Sequence, residues 1–267
     1  MVLNKFRHIS DRLIEKPVNW CVERDISPNT ITFLGFIVSC IAAVGYALPD
    51  IFIYRWYLGG FPVVLFFLAG ALDVLDGGVA RKTGSASKFG GFLDSTLDRL
   101  SDAVIILGLM LGEMLWLNNR IINDLLGFIA ISIMILISYT RSRAELEGVV
   151  MKGVGLMERA ERVFLIMFGY IIESWINMGE ITEIGPFSSS NPYNGGFFPI
   201  FFLVFIGLCV ETLIVRIRHS YKWLSGTVST KYLEKHELTE LYEQFKKENK
   251  IQGEKKSKDT PEKEEDS

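Results

Sequence analysis

Six stretches of the chain contain no charged residue and consist mostly of apolar residues, and polar segments separate them. The stretches cover residues 30–48, 56–72, 103–112, 125–140, 163–172 and 196–210. A bilayer core about 30 Å thick takes roughly 20 helical residues to cross. Several stretches reach that length only if the helix continues into neighbouring residues that carry acidic or basic side chains. The pattern therefore predicts an all-α integral membrane protein with six transmembrane helices, some of them charged near their ends.

Residues 1–28, which precede the predicted six-span domain, contain both charged and apolar side chains. Phe6, Ile9 and Leu13 recur at helical spacing among several Lys and Arg residues. This spacing predicts an N-terminal amphipathic helix that lies in the membrane interface, and a frayed basic arm is the alternative. Because charge is spread through this region, we expect no cleavable signal peptide and an uncleaved first span.

Lys and Arg residues fall in alternate connections between the apolar stretches. The basic segments are the N-terminal arm, residues 81–88, residues 141–162 and the chain after residue 216. The connections near Arg55, near Arg120 and over residues 177–196 hold few basic residues or none. The positive-inside rule then predicts a multi-pass protein of the cell membrane with both termini cytoplasmic. The second-to-third and fourth-to-fifth connections lie on the same cytoplasmic side.

Composition separates a C-terminal region from the apolar part of the chain. Although 49% of the 267 residues are hydrophobic, the chain from about Lys235 onward is rich in Lys and Glu. Such a composition cannot bury a core. We therefore expect an interfacial helix at residues 1–28, a six-span domain at 29–225 and a charged, largely disordered cytoplasmic tail at 226–267. The three cysteines and three histidines are scattered, which excludes a disulfide framework and a Cys/His metal site.

Four aspartates stand where the second apolar stretch ends and the third begins. Asp73 and Asp76 are three residues apart, and Asp94 and Asp98 are four apart, so each pair shares one face of a helix. Four carboxylates brought together in a poorly solvated place repel one another unless cations bind them. Hard oxygen ligands suit Mg²⁺ or Mn²⁺, and two ions would bind a diphosphate, with Arg81 as a fixed cation beside them. Ordinary polar contacts between helices are the alternative.

Residues 73–98 read Asp-x2-Asp-Gly-x2-Ala-Arg-x8-Gly-x3-Asp-x3-Asp. This spacing resembles the signature of the CDP-alcohol phosphatidyltransferase family, and the resemblance extends over roughly residues 1–225. It implies an enzyme, commonly a homodimer, in which a hydroxyl attacks a CDP-linked lipid and CMP leaves. By the resemblance, Asp73, Asp76, Asp94 and Asp98 hold the metal ions, and Asp98 is also the general base. The residues that would contact the CDP-lipid are Asn29, Thr32, Gly77, Arg81 and Ser87.

The fourth-to-fifth connection, residues 138–162, is unusually basic. It resembles the branch of the family that accepts inositol phosphate, the phosphatidylinositol-phosphate and archaetidylinositol-phosphate synthases. That resemblance implies that Arg141, Arg162 and Arg216 bind the phosphate of the acceptor, myo-inositol 1-phosphate. Arg141 stands where bacterial members have Lys, and Ala160 where they have Pro.

The sequence is compatible with several alternatives. Glycerol 3-phosphate is an alternative acceptor, and a non-enzymatic six-span transporter is an alternative of another class. Other basic residues of the connection, including Arg143 and Arg159, are equally compatible with contacts to membrane lipid headgroups. The lipid tails of the donor can be diacyl or archaeal diether chains. Nothing in the pattern indicates a nucleic-acid partner.

Overall fold

The computed structural model describes residues 7–48, 60–116, 119–151, 153–179, 197–228, 233–234 and 238–247. These residues form long α-helices and contain no strand. The helices are α1 (Arg7–Glu23), α2 (Pro28–Ala47), α3 (Phe61–Thr83), α4 (Lys88–Leu111), α5 (Arg120–Leu146), α6 (Arg159–Gly179) and α7 (Phe197–Leu224). The predicted all-α class is confirmed for these residues. Each apolar stretch of the sequence falls largely on one helix from α2 to α7.

Four of the described helices are long and apolar enough to cross a membrane. These are α2 and α3, each with a mean hydropathy of 1.9, α5 with 2.2 and α7 with 2.5. The third and fifth predicted spans fall on α4 and α6, which carry several charged side chains. The protein is thus an all-helical membrane protein, and its crossing the bilayer six times stays a prediction.

Large apolar side chains cover the outward faces of these helices. On α2, Phe33, Ile37, Ile41 and Val44 are exposed, and on α3 Phe67 is 68% exposed. At most 39% of the apolar window of any of the four spans is buried within the protein. Exposed apolar surface on this scale is unfavourable in water and favourable against lipid tails. The exposed faces therefore support the assignment of these helices to the membrane.

Helix caps define a tight connection between α3 and α4. Gly84 ends α3 in the left-handed conformation, with φ of 64°, which glycine adopts without strain. Three residues later the side chain of Ser87 accepts a hydrogen bond from the backbone N–H of Gly90 and so caps α4. The acidic end of α3 and the acidic start of α4 are consequently held next to each other.

Small residues allow close helix contacts around this hairpin. A Cβ atom at Gly108 of α4 would lie 2.4 Å from the carbonyl oxygen of Ala43 in α2. A Cβ atom at Gly78 of α3 would lie 2.7 Å from a methyl group of Val18 in α1. Both distances are far below van der Waals contact, so a Cβ atom at Gly108 would clash with the backbone of α2, and one at Gly78 would require the side chain of Val18 to move. The two glycines bring α2 against α4 and α1 against α3.

The helix α1 occupies the region where an interfacial helix is predicted. Val18 and Cys21 of α1 are buried in a small cluster with Ile31 and Val79. Part of its apolar face therefore contacts protein, and its placement at the membrane surface stays a prediction. Phe6 and the side chains of Ile9 and Leu13, on which that prediction was based, lie outside the described residues.

The chain divides into two compact units. The first comprises residues 1–138 and 155–213, and the second comprises residues 139–154 and 214–267. The core of the first unit includes Tyr46, Ile105, Leu109 and Phe205, all fully buried.

The second unit has its own apolar core around Trp223. Trp223 is fully buried with Val149, Met151 and Tyr242, and its ring centroid lies 4.8 Å from that of Tyr242. Tyr242 belongs to a helical segment at residues 239–247. For these residues, a packed helix replaces the predicted solvated tail, because Tyr242 supplies an aromatic side chain that Trp223 can bury. The rest of the predicted tail, apart from 226–228, 233–234 and Leu238, lies outside the described residues.

Candidate active site

Three carboxylates meet where α3 approaches the start of α4. Asp73 of α3 and Asp94 and Asp98 of α4 each offer an oxygen atom, and these atoms lie within 4.8 Å of one another. Asp94 and Asp98 share one face of α4 because they are one helical turn apart. We call Asp73, Asp94 and Asp98 the acidic cluster.

Asp76, the fourth predicted ligand, has a different environment from the other three. It is 6% exposed, and its Oδ2 atom accepts a hydrogen bond of 2.6 Å from the hydroxyl of Thr32 in α2. The hydroxyl of Thr32 also lies 3.0 Å from the carbonyl oxygen of Pro28. Asp76 is therefore oriented by α2 and lies outside the group of three. A contact between Thr32 and the cytidine stays a prediction.

The composition of the acidic cluster suits a divalent metal. All its ligand atoms are carboxylate oxygens, which hard cations such as Mg²⁺ and Mn²⁺ prefer. The Oδ1 atom of Asp94 is buried and has no hydrogen-bond partner among the described residues. A buried carboxylate oxygen without a donor is costly unless a cation binds it. The residues present therefore fit a metal site.

Arg159, the first residue of α6, reaches into the acidic cluster. Its NH1 atom lies 2.8 Å from Asp73 Oδ1 and 2.9 Å from Asp98 Oδ1. The guanidinium thus supplies positive charge to two of the predicted metal ligands. The basic pattern of residues 138–162 does not predict this contact. The position of Arg159 at the start of α6 is a signal that could have predicted the contact. A cation in the first turn of a helix interacts unfavourably with the helix dipole, which indicates that it has a specific acidic partner.

Asp102 extends the acidic face of α4 by one more turn beyond Asp98. Its side chain is 8% exposed, and its Oδ2 atom lies 2.9 Å from the NH2 atom of Arg162. Its Oδ1 atom lies 3.7 Å from Nε of Arg159. Asp102 is absent from the predicted site, although its i+4 spacing from Asp98 placed it on the same helix face.

Arg162, a predicted acceptor residue, is 3% exposed. In addition to Asp102, it contacts the carbonyl oxygen of Met157 through NH1 at 3.3 Å. Its Nε–H group is buried and has no hydrogen-bond partner among the described residues. Arg162 therefore retains donor capacity that a phosphate group could take up.

Several predicted CDP-lipid contacts surround the start of α4. A Cβ atom at Gly90 would lie 3.1 Å from Ser87 Oγ and 3.3 Å from Asn29 Oδ1, so the side chains of Ser87 and Asn29 meet over this glycine. Free backbone N–H groups at a helix start attract anions. This geometry is compatible with a phosphate-containing ligand.

Arg81 and Gly77 lie together near the end of α3. A Cβ atom at Gly77 would lie 3.2 Å from NH1 of Arg81, so the guanidinium extends over the bare glycine. Arg81 is exposed and borders an open groove of about 300 Å³ that α1 lines with Glu15 and Asn19. Lys82 donates a hydrogen bond to Asn19 across this groove.

The other two predicted acceptor residues belong to the second unit. Arg141 is partly exposed, and its Nε atom donates to Glu145 Oε1 at 3.0 Å. Arg216 is 2% exposed, and its Nε atom donates to the carbonyl oxygen of Val154 at 3.1 Å. Their predicted role toward an acceptor phosphate stays a prediction.

A small cavity of about 20 Å³ lies beside the acidic cluster. Polar side chains from three helices line it, namely Thr32 and Ser39 of α2, Asp73 and Asp76 of α3, and Asp98 and Ser101 of α4, together with Arg159. The cavity is polar, so small polar species can occupy it.

Comparison with known proteins identifies the family. The family model "CDP-alcohol phosphatidyltransferase" matches residues 25–184. The archaetidylinositol phosphate synthase of Methanothermobacter thermautotrophicus is 40% identical over 179 residues, which are 65% of this chain and 82% of that protein. The corresponding synthase of Pyrococcus horikoshii is 33% identical over 173 residues, with coverages of 65% and 84%. A crystal structure of phosphatidylinositol phosphate synthase from Mycobacterium tuberculosis with CDP-DAG bound shares the fold, with a TM-score of 0.62, 23% identity and coverages of 79% and 94%. This chain therefore belongs to the CDP-alcohol phosphatidyltransferase family.

Proposed function

We propose that this protein transfers the lipid-bearing phosphoryl group of a CDP-linked lipid to myo-inositol 1-phosphate and releases CMP. The observation that carries the proposal is the convergence of Asp73, Asp94 and Asp98 within 4.8 Å at adjoining helix ends. The names of the archaeal relatives and their 33–40% identity support the choice of inositol phosphate as acceptor.

The metal would be held by the acidic cluster together with Asp76. Mg²⁺ or Mn²⁺, bound as two ions, would screen the diphosphate and stabilise the charge that develops on its oxygens. A phosphatidylinositol phosphate synthase from Mycobacterium tuberculosis has been crystallised in complex with manganese and citrate, and it matches 78% of this chain at 22% sequence identity. In this chain, Oδ1 of Asp94 has no hydrogen-bond partner among the described residues, which supports metal binding by the acidic cluster.

The donor would bind between the start of α4 and the end of α3. Asn29 and Ser87 meet over Gly90, and Arg81 extends over Gly77. The forked donors of an arginine suit phosphate oxygens, and the helix start attracts negative charge. These groups, with Thr32, would hold the CDP part of the lipid while the lipid tails lie among the apolar helix faces.

Asp98 would act as the general base. An alcohol is a poor nucleophile at neutral pH, and a carboxylate that takes its proton during attack helps the reaction. The acceptor oxygen then bonds to the phosphorus that bears the lipid. The bond from this phosphorus to the bridging oxygen breaks, and CMP departs with the bonding electrons. Arg81 would stabilise the negative charge on the phosphoryl oxygens, and no covalent enzyme intermediate is required.

The phosphate of the acceptor would bind to Arg162, and the resemblance to the inositol-phosphate-accepting branch also implies a role for Arg141 and Arg216. Arg162 is buried, is oriented by Asp102 and has a spare Nε–H donor. An unused Nε–H of a guanidinium can donate a charge-assisted hydrogen bond to an oxygen of a phosphate monoester. This feature favours an acceptor that is already phosphorylated over a neutral alcohol.

The proposal also includes the location, oligomeric state and membrane orientation of the protein. The protein would span the cell membrane six times as a homodimer, with both termini and the active site on the cytoplasmic side. The distribution of Lys and Arg between alternate connections supports this orientation. The CDP headgroup of the donor and the phosphorylated acceptor are polar and charged, which agrees with a site at the cytoplasmic surface.

The test is metal-dependent CMP release by the purified wild-type protein and by Asp98→Asn. We expect the wild type to form CMP from CDP-lipid and myo-inositol 1-phosphate with Mg²⁺ or Mn²⁺ and to stop when EDTA is added. Loss of a general base lowers a rate by about 10²–10⁴-fold, so Asp98→Asn should fall by that factor. Asp124→Asn removes a carboxylate that pairs with Arg120 instead, and should keep wild-type activity. Full activity of Asp98→Asn, or CMP release with EDTA present, would refute the proposal.

A further inference from the structure

We propose that Asp102 is a positioning residue that sets the acceptor site by holding Arg162 and Arg159 side by side. This inference rests on the proposed function, because it assigns Asp102 a role toward the phosphate of the acceptor. Neither the four-aspartate signature nor the acidic cluster includes Asp102. Its role would be to orient other residues, without touching metal or substrate.

The position of Asp102 explains how it can reach both arginines. It follows Asp98 by one helical turn on α4 and is 7% exposed. A carboxylate so far removed from water needs a cationic partner. Arg159 and Arg162 are themselves three residues apart at the start of α6, so one face of α6 presents both guanidinium groups to α4.

Each oxygen of Asp102 serves a different arginine. Oδ2 lies 2.9 Å from NH2 of Arg162, and Oδ1 lies 3.7 Å from Nε of Arg159. Two guanidinium groups this close would repel each other without an anion between them. Asp102 supplies that anion. It therefore allows two cations to be held beside the acidic cluster.

The two arginines contact different groups. Arg159 contacts Asp73 and Asp98 directly, so it belongs to the acidic cluster. Arg162 contacts neither of them and retains a buried Nε–H donor without a partner among the described residues. A phosphate monoester would satisfy that donor and the positive charge. Asp102 thus connects the carboxylate that removes the acceptor's proton with the arginine that binds the acceptor's phosphate.

This arrangement predicts a selective kinetic effect. If Asp102 positions Arg162, neutralising its carboxylate should weaken binding of the acceptor phosphate more than binding of the CDP-lipid. In Asp102→Asn the amide can still accept one hydrogen bond but no longer balances two cations. We expect KM for myo-inositol 1-phosphate to rise at least tenfold while KM for CDP-lipid changes less than threefold.

The experiment uses the purified full-length protein in lipid-containing detergent micelles with saturating Mn²⁺. Both KM values and kcat are measured for the wild type, Asp102→Asn and Asp102→Glu. Asp102→Glu keeps the charge and should recover at least part of the acceptor KM. Asp124→Asn removes a carboxylate from a surface pair with Arg120 and should leave both KM values unchanged.

Four results decide the outcome. An unchanged acceptor KM in Asp102→Asn overturns the proposal, as does an equal rise of both KM values that Asp102→Glu does not reverse. If Asp102→Asn does not fold, Asp102→Ser, which also removes the carboxylate, takes its place, and an acceptor KM in Asp102→Ser equal to that of the wild type likewise overturns the proposal. If the wild type uses glycerol 3-phosphate and not inositol phosphate, the proposed acceptor is wrong. The same KM comparison made with glycerol 3-phosphate then decides the role of Asp102 independently.

Discussion

Replacing Arg159 by Gln should strengthen binding of Mn²⁺ to the acidic cluster. The guanidinium of Arg159 lies 2.8 Å from Asp73 and 2.9 Å from Asp98, two residues that would ligate the metal. A cation that binds the same oxygens must displace these contacts and tolerate the nearby positive charge. Arginine and metal therefore compete for the cluster.

The size of the effect follows from these contacts. A hydrogen bond between charged groups contributes about 1.5–3 kcal/mol, and the low end applies to Arg159 because its side chain is 29% exposed. Two such contacts amount to roughly 3 kcal/mol. When the metal displaces Arg159, new contacts of the guanidinium with water and Asp102 offset about half of the lost interaction energy, which leaves a net cost of roughly 1.5 kcal/mol. Removing that cost should raise Mn²⁺ affinity by about tenfold.

The assay is calorimetric titration of Mn²⁺ into purified protein without substrate, so that it does not depend on turnover. Arg120→Gln is the matched control, because it removes the same charge from an exposed pair with Glu113 and Asp124. We expect a tighter dissociation constant for Arg159→Gln and no change for Arg120→Gln. Equal or weaker Mn²⁺ binding by Arg159→Gln would show that the two cations do not compete.

Two further predictions concern stability. Thr32→Val removes the donor from the buried Asp76 and should cost about 1–3 kcal/mol of unfolding free energy, measured by denaturant titration in micelles, while Thr32→Ser should retain most of it. A wild-type midpoint for Thr32→Val would contradict the pairing. Gly108→Ala places a methyl group 2.4 Å from a backbone oxygen of Ala43 and should cost about 1–3 kcal/mol. Gly70→Ala, where no atom lies within 4 Å of the added Cβ, should be neutral or stabilising, so equal stability of the two variants would refute the close helix contact.

The helices could be predicted from the sequence because each one leaves a local signal. Uncharged stretches located the helices α2 to α7, and their continuation into charged residues agrees with the lengths of α3 and α4. The packed helix at residues 239–247 was harder to predict from the sequence. Tyr242 and Phe245 are three residues apart and share one helix face, but the surrounding charge concealed that the face packs on Trp223.

The sequence predicts which site residues lie together only where their spacing places them on one face of the same helix or a short connection joins their helices. The spacing of Asp94 and Asp98 puts them on one helix face, and the short connection after Asp73 puts that residue near them. The sequence therefore predicts that these carboxylates are close, and in the structure they lie within 4.8 Å of one another. The contact of Thr32 with Asp76 spans 44 positions, and that of Arg162 with Asp102 spans 60. Such contacts depend on how α2 and α6 approach α3 and α4, which residue spacing within one helix does not determine.

The most direct test of the proposed transfer to inositol phosphate is identification of the lipid product. Purified wild-type protein with Mn²⁺ and CDP-lipid is given equal concentrations of myo-inositol 1-phosphate and glycerol 3-phosphate, and the products are resolved by mass spectrometry. We expect a lipid-linked inositol phosphate formed in equal amount to CMP, with no product when Mn²⁺ is removed. A lipid-linked glycerol phosphate as the main product, or no lipid product from either acceptor, would contradict the proposed function.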